Sequence, residues 1–184
     1  NLSIVQSHAA TLQQDLVFLA TEDFMQGKAV TGELAIKLRR LVCTYTDDLL
    51  GFFPALVNMR VMVMETMYMP HSIVNGKEGY LRHVDVETRA DGNTYPICAF
   101  VEFPGCGIRC DGLPDDVAPI FPVESYLSYE SKRVRTKFSF KHVQLPLLPA
   151  YAYTDYKSQG CSLETVIVDI AGARSLQSLY VMLS

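Results

Sequence analysis

The residues best suited to chemistry lie in one polar loop, Thr154-Asp155-Tyr156-Lys157-Ser158-Gln159-Gly160. An apolar, proline-punctuated approach, Leu145–Tyr153, leads into it, and the run Leu163–Ile170 comes after it and reads as a buried strand. Thr154, Lys157, Ser158 and Gln159 supply hydrogen-bond donors of different reach. A hydroxyl and an ammonium both bond phosphate oxygens, and a glycine such as Gly160 lets a backbone amide lie against an anion. A polar loop at the mouth of an apolar strand is where α/β proteins place ligand contacts. On these residues alone, a solvated turn between two core elements fits equally well.

A second group is basic. Lys132–Lys141 is the one concentrated run of positive charge, with Phe138 and Phe140 interleaved. In a strand, Arg133, Arg135 and Lys137 share one face, and Val134, Phe138 and Phe140 lie largely on the other. Such a face can track a phosphate backbone, and it is also the solvated side of an ordinary barrel strand. His8 is a further candidate. It comes after a short strand expected at Leu2–Val5 and precedes a helix expected over Ala9–Phe24, where Leu12, Leu16, Leu19 and Ala20 recur at helical spacing. Backbone amides at a helix start favour anions, although a residue there more commonly caps or solvates the turn.

Several elements must position these groups. Glu33–Leu41 is amphipathic, Val42–Tyr45 a strand, and Asp47-Asp48 a solvated loop. After Asn58 the pattern suits a strand with Val61 and Val63 on one face and Met62 and Met64 on the other. Asn75-Gly76 marks a tight turn, and Gly79 suits close packing at the entry to the next strand. The short strands Tyr80–Val86, Tyr95–Phe103, Val117–Val123 and Val134–Phe140 then indicate a small barrel. Met59, Met62, Met64, Met67 and Met69 read as core fillers rather than a copper site. Cys98, Cys106 and Cys110, with His83 upstream, lack the paired short spacings of a zinc site and read as buried or turn thiols.

Composition sets limits. The 184 residues are 49% hydrophobic and 20% charged, enough for a substantial core. A net charge of −4 argues against nucleic-acid binding through bulk charge, though not against a local basic groove. Five cysteines without a regular framework suggest a reduced, intracellular chain. A chain that begins at Asn1 and stops at Ser184 inside an apolar segment reads as part of something longer.

The polar loop resembles motif V of the superfamily 1B DNA helicases, the RecD-like group that includes the Pif helicases and those of Helitron transposons. Tyr151-Ala152, Thr154, Lys157-Ser158-Gln159-Gly160, Ser162 and Leu163 match its pattern. Tyr156 stands where His or Asn is usual, and Asp155 replaces an apolar residue. Pro54–Gly79 is similar to the stretch that enters the family's inserted domain, with Asn58 near a position where Gly is usual. Ser175–Ser184 resembles the start of motif VI, whose arginine would be the next residue.

The resemblance implies an α/β fold: the second domain of a RecA-like P-loop NTPase, built on a parallel sheet and interrupted by a small SH3-like β-barrel. The divisions are 1–72 and 142–184 for the RecA-like part, called 2A, and 73–141 for the insertion, called 2B. It also implies ATP and Mg²⁺ as cofactors of the full-length protein, and as partners single-stranded DNA, duplex DNA and the first RecA-like domain of the same protein. That domain would carry the phosphate-cradling loop and the acidic pair for Mg²⁺, which this chain lacks. By position, Thr154, Tyr156 and Lys157 would approach DNA, joined by Arg133, Arg135, Lys137 and His8. Ser158, Gln159 and Gly160 would lie nearer the nucleotide. The implied activity is 5′-to-3′ translocation and unwinding, with this chain alone unable to hydrolyse ATP. Its location would be intracellular, and nuclear if the source is eukaryotic; its setting would be repair, recombination, telomere maintenance or transposition. The alternatives are a non-enzymatic single-strand-binding module and a degenerate helicase remnant.

Overall fold

The computed structural model describes residues 2–41, 49–131, 136–152, 167–168, 175–177 and 180. The chain opens with helix α1, Leu2–Leu12, which buries Val5 and Ala9. Residues four apart lie one above the other on a helix, so these two form a single inward stripe. The strand expected at Leu2–Val5 is therefore part of a helix. The helix expected through Phe24 ends much earlier. Gln13 takes a left-handed φ of 53°, and the amides of Gln13 and Gln14 close on the carbonyls of Ala10 and Ala9.

Beyond α1 the chain is extended, forming β1, Val17–Ala20, and β2, Glu22–Met25. Leu16, Leu19 and Ala20 suit a helical period, but tertiary pairing decides the outcome. β1 lies antiparallel to β4, Phe52–Ala55, with Leu19 opposite Phe53, and both side chains are fully buried. Between them come β3, Lys28–Ala29, and α2, Gly32–Arg39, close to the expected amphipathic helix. The strand expected at Val42–Tyr45 and the loop at Asp47-Asp48 lie outside the described residues.

The remaining strands are β5 (Arg60–Val63), β6 (Glu78–Thr88), β7 (Thr94–Glu102), β8 (Val117–Ile120), β9 (Val123–Ser131), β10 (Thr136–Gln144) and β11 (Leu147–Pro149). One sheet runs β11-β5-β6-β7-β1-β4, with β8 also on β7; a second runs β3-β2-β10-β9. On the far side of β7, β8 takes Ala99–Glu102 and β1 takes Thr94. That β1–β7 contact is the sole parallel pairing among the described strands. The described sheets are thus mixed and mainly antiparallel, and the strands expected at Val42–Tyr45 and over most of Leu163–Ile170 lie outside the described residues. The β2–β3, β6–β7 and β9–β10 pairs are hairpins joined by short links, which only antiparallel neighbours allow.

Each sheet contains strands from the expected first part and from the expected insertion. The chain changes sheet at Thr21, between β3 and β4, at Phe121-Pro122 and at Leu145-Pro146. The strand expected over Val117–Val123 is thus split between sheets at Phe121-Pro122. After Asn58 one face in the core is enough to explain the alternation, but Val61, Met62, Val63 and Met64 are all buried, so both faces of this strand are covered. Of the buried strand expected over Leu163–Ile170 only Ile167 and Val168 are described; they join no described strand and Ile167 is 98% exposed, and the rest of the run lies outside the described residues. Among the described residues, no helix is long and apolar enough to cross a membrane.

The main core gathers Leu19, Phe53, Met59, Leu81, Phe103 and Leu147 with their neighbours, around the seven-stranded sheet. Cys98 is buried, and Cys106 and Cys110 pack partly buried against the same core as free thiols. Gly79 is required where β6 passes β7, since a Cβ there would lie 2.6 Å from the carbonyl oxygen of Glu102. Asn75-Gly76 makes the expected turn, with the Lys77 amide bonded to the Val74 carbonyl.

Candidate functional site

Thr154, Tyr156, Lys157, Ser158, Gln159 and Gly160 lie outside the described residues, as do Arg133 and Arg135. Lys137 is placed by its backbone on β10, opposite Glu130 of β9. The described site is the platform from which the polar loop departs.

That platform is β11. Leu147 and Pro149 are buried, and the strand pairs with β5 so that Leu147 faces Val63 and Pro149 faces Val61. The Met64 amide bonds to the Pro146 carbonyl at 2.8 Å, and the Ala150 amide to the Arg60 carbonyl at 2.9 Å. Prolines cannot donate to a ladder and belong at edges; among the described strands β11 is an edge of its sheet, so Pro146 and Pro149 are compatible with it.

Tyr151 then fixes the departure point. Its hydroxyl accepts the Arg60 amide at 3.2 Å and meets Nδ1 of His8 at 2.9 Å. A phenol has one donor and two acceptor sites, so it serves both partners whichever tautomer His8 holds. The rings meet edge to face, with centroids 5.8 Å apart. The structure thus brings His8 to the base of the polar loop, although 143 positions separate the two residues. It does so from well inside α1, not from a helix start, so the helix-end argument for anion binding does not apply to His8. Tyr151 matches the motif pattern, but its part as an anchor is invisible without its partners.

The described end of the basic run is already engaged. Lys141 Nζ bonds Glu124 at 2.7 Å and lies 4.6 Å from the centroid of the Phe24 ring. The bond from Glu124 raises the Lys141 pKa above its ordinary value.

Sequence reasoning missed a polar seam where the two sheets meet. Nδ1 of His142 contacts Oδ1 of Asp23 at 2.6 Å, and the hydroxyl of Thr21 donates to the other Asp23 oxygen at 3.2 Å. Nε2 of Gln144 donates to the carbonyls of Leu19 and Leu50, while its Oε1 accepts the Leu145 amide. Gln144 therefore ties together two of the points at which the chain changes sheet. An Asp–His pair can orient a catalytic base, but Asp23 is 2% and His142 0% exposed, with no substrate access to either. The pair is structural.

The seam extends through Arg39, which donates to the Thr21 carbonyl and, at 2.8 Å, to the Tyr95 hydroxyl. Tyr95 in turn donates to Asp91 at 2.6 Å. That bond, helped by Asn93, lowers the Asp91 carboxyl to about 2. Burial raises the Tyr95 phenol. Arg89 closes the tip of the β6–β7 hairpin by pairing with Glu22 and Glu87, and these bonds raise its pKa.

No protein-family model matches the sequence, and no curated protein matches it significantly. Solved structures do share its fold. A Pif1 helicase from Candida albicans superposes with a TM-score of 0.58 over 96% of this chain and 38% of that one, at 20% identity. A structure describing DNA unwinding at forked double-stranded DNA by two coordinating Pif1 helicases gives 0.58 over 100% and 34%, at 15% identity. A Bacteroides Pif1 bound to single-stranded DNA gives 0.57 over 98% and 35%, also at 15% identity. This chain therefore spans little more than a third of the length of those helicases, and over nearly all of its own length it has the fold of part of a Pif1 helicase.

Proposed function

We propose that the chain is the C-terminal part of a Pif-like, ATP-dependent DNA helicase that moves 5′ to 3′ on single-stranded DNA and unwinds duplex. The observation that carries this reading is the superposition of nearly the whole chain on Pif1 helicases, one of them bound to single-stranded DNA. The motif match at Lys157-Ser158-Gln159-Gly160, found independently of the fold, supports it.

In this reading ATP and Mg²⁺ are held mainly by a first RecA-like domain of the same protein; a further Pif1 structure of this fold is a complex with ADP-AlF4. Thr154, Tyr156 and Lys157 contact the DNA backbone, and Ser158, Gln159 and Gly160 face the nucleotide, so one loop senses both. The Tyr151 anchor gives that loop a fixed base: movement of the loop is then transmitted rather than absorbed in its own approach. Arg133, Arg135 and Lys137 supply a further basic stretch beside the DNA. The division into 2A and 2B at 73–141, and an intracellular location, belong to the same reading.

The test is DNA-stimulated ATPase activity of the full-length parent beside its Gln159→Ala variant. Stimulated turnover that collapses in the variant supports both the helicase reading and the coupling role of the loop. Asp155 and Tyr156 depart from the family pattern, which is the observation favouring a degenerate copy. Absence of turnover in the intact parent is the outcome that reading requires. Salt-dependent single-strand binding without turnover would mark a binding module instead.

A further inference from the structure

A cavity of about 560 Å³ opens beside β6 and β7. Leu81, Ala99 and Val101 of these strands lie in the core, while the cavity is lined by their more exposed neighbours. His83 and Phe100 stand opposite each other in register, their rings nearly parallel at 29° and 5.9 Å apart. Leu113 and Pro114, from the loop between β7 and β8, add apolar wall. The charged lining is Arg82, Asp85, Glu102 and Asp115.

The balance of charge selects the ligand. Arg82 is already committed: it bonds Glu102 and the side chain of Asn58 and lies over the Tyr80 ring. Asp85 is held by Nε2 of His83 at 3.0 Å, with both side chains more than half exposed. Asp115 is held by Arg109 at 3.4 Å, and those two are more exposed still. Ion pairs this exposed contribute little and exchange readily. A phosphate entering the cavity would meet three carboxylates against one occupied guanidinium. An incoming cation would find carboxylate oxygens and flat aromatic faces together. Among common cationic groups, the planar guanidinium both stacks on such rings and forks onto a carboxylate, which a compact ammonium does not. The volume falls within the range of about 300–1,000 Å³ typical of ligand pockets, with room for more than one side chain.

We propose that the cavity lined by β6, β7 and the Leu113–Asp115 loop takes an arginine side chain presented by an extended segment of a partner protein. It is a protein-recognition site, electrostatically unsuited to the DNA backbone, and it does not rest on the helicase reading.

The experiment uses the full 184-residue chain and a fluorescein-labelled peptide with a central arginine flanked by proline and alanine, beside the same peptide carrying citrulline. Saturable binding of the arginine peptide is expected by fluorescence anisotropy. Citrulline should weaken it at least about tenfold, because the shape is kept and the charge lost. Phe100→Ala and the double variant Asp85→Asn, Asp115→Asn should weaken it similarly. Both aspartates are exposed, and an unchanged melting curve for the double variant separates loss of binding from loss of fold. Failure of the arginine peptide to saturate overturns the proposal, as does equal binding of the citrulline peptide or undiminished binding by the folded double variant. A single-stranded oligonucleotide that displaces the peptide, and is itself weakened by Phe100→Ala, would assign the cavity to nucleic acid and overturn the proposal too.

Discussion

The two sheets are held together by different physics. Around the seven-stranded sheet, Leu19, Phe53, Leu81, Val101, Phe103 and Leu147 are 0–1% exposed and make a continuous apolar core. Among the described residues the four-stranded sheet has a small apolar cluster, Leu38, Leu127 and Phe140, and beside it the buried polar groups Thr21, Asp23, His142 and Gln144. Burial of apolar area is non-directional and tolerates repacking, whereas a buried hydrogen bond specifies one geometry and is costly to leave half made. The core therefore supplies most of the stability, and the seam specifies where the chain passes between sheets. Among the described residues Nε2 of His142 has no hydrogen-bond partner, so the described seam is one bond short.

The contrast is broken most severely from the core side. Phe103 is fully buried and part of the main cluster. Phe103→Ala should destabilise the chain by about 3–5 kcal/mol, through lost burial and the cavity left behind. Urea denaturation monitored by circular dichroism reads this directly, as a lower midpoint with an unchanged slope. The smaller core of the second sheet predicts a milder effect for Leu127→Ala in the same assay, and equal losses at the two positions would contradict the contrast.

The seam should respond by a different rule. Asp23→Ala leaves a buried imidazole nitrogen without its partner, an expected cost of about 1–3 kcal/mol. Asp23→Leu combined with His142→Leu removes both polar partners together and should cost less than the sum of the single changes. A double-mutant cycle by urea denaturation measures the difference. Strict additivity would mean that the two side chains do not act as a pair.

The same division governs what the sequence discloses. Turns and core strands depend on local rules, and they are legible: Asn75-Gly76 forms its turn, β5 to β7 fall where the apolar pattern places them, and Asn58 adopts φ 65°, a left-handed conformation that explains why Gly suits that region of the family pattern. The first 25 residues are misread because Leu16, Leu19 and Ala20 keep a helical period, which the pairing of β1 with β4 overrides by burying both Leu19 and Ala20. Asp23 and His142 are 119 positions apart, and His8 and Tyr151 are 143 apart. No local pattern announces either contact. The loop Thr154–Gly160 lies outside the described residues, and its residue types and spacing suit ligand contact and a solvated turn alike, whereas the anchor at Tyr151 is legible only through the fold.

Tyr151→Phe tests that anchor. It removes only the hydroxyl bonds to His8 and the Arg60 amide, so the expected loss of stability is about 0.5–1.5 kcal/mol. The larger consequence under the helicase reading is functional: in the full-length parent, DNA-stimulated turnover should fall more than basal turnover. Equal reduction of both would reduce Tyr151 to a packing residue.

The smallest expected effect lies at the outer arm of the seam, and it is read by pH. The Asp91 carboxyl falls from an ordinary 3.8 to about 2, chiefly because Tyr95 donates a hydrogen bond to its charged form. A carboxylate whose pKa is depressed by folding contributes stability above the unfolded value and loses it as pH falls through the folded value. The Tyr95–Asp91 contact should therefore persist at pH 4 and dissolve as pH falls from there through about 2. Carbon-detected NMR titration of the Asp91 carboxyl measures its midpoint, and Tyr95→Phe should move that midpoint upward. The shift should be partial, because Asn93 still donates through both its amide and its side chain. A midpoint unmoved by Tyr95→Phe would place the cause on Asn93 alone and detach this arm from the buried seam. A midpoint that rises ties a solvent-facing hairpin tip, through Tyr95 and Arg39, to the Thr21 carbonyl at a point where the chain changes sheet.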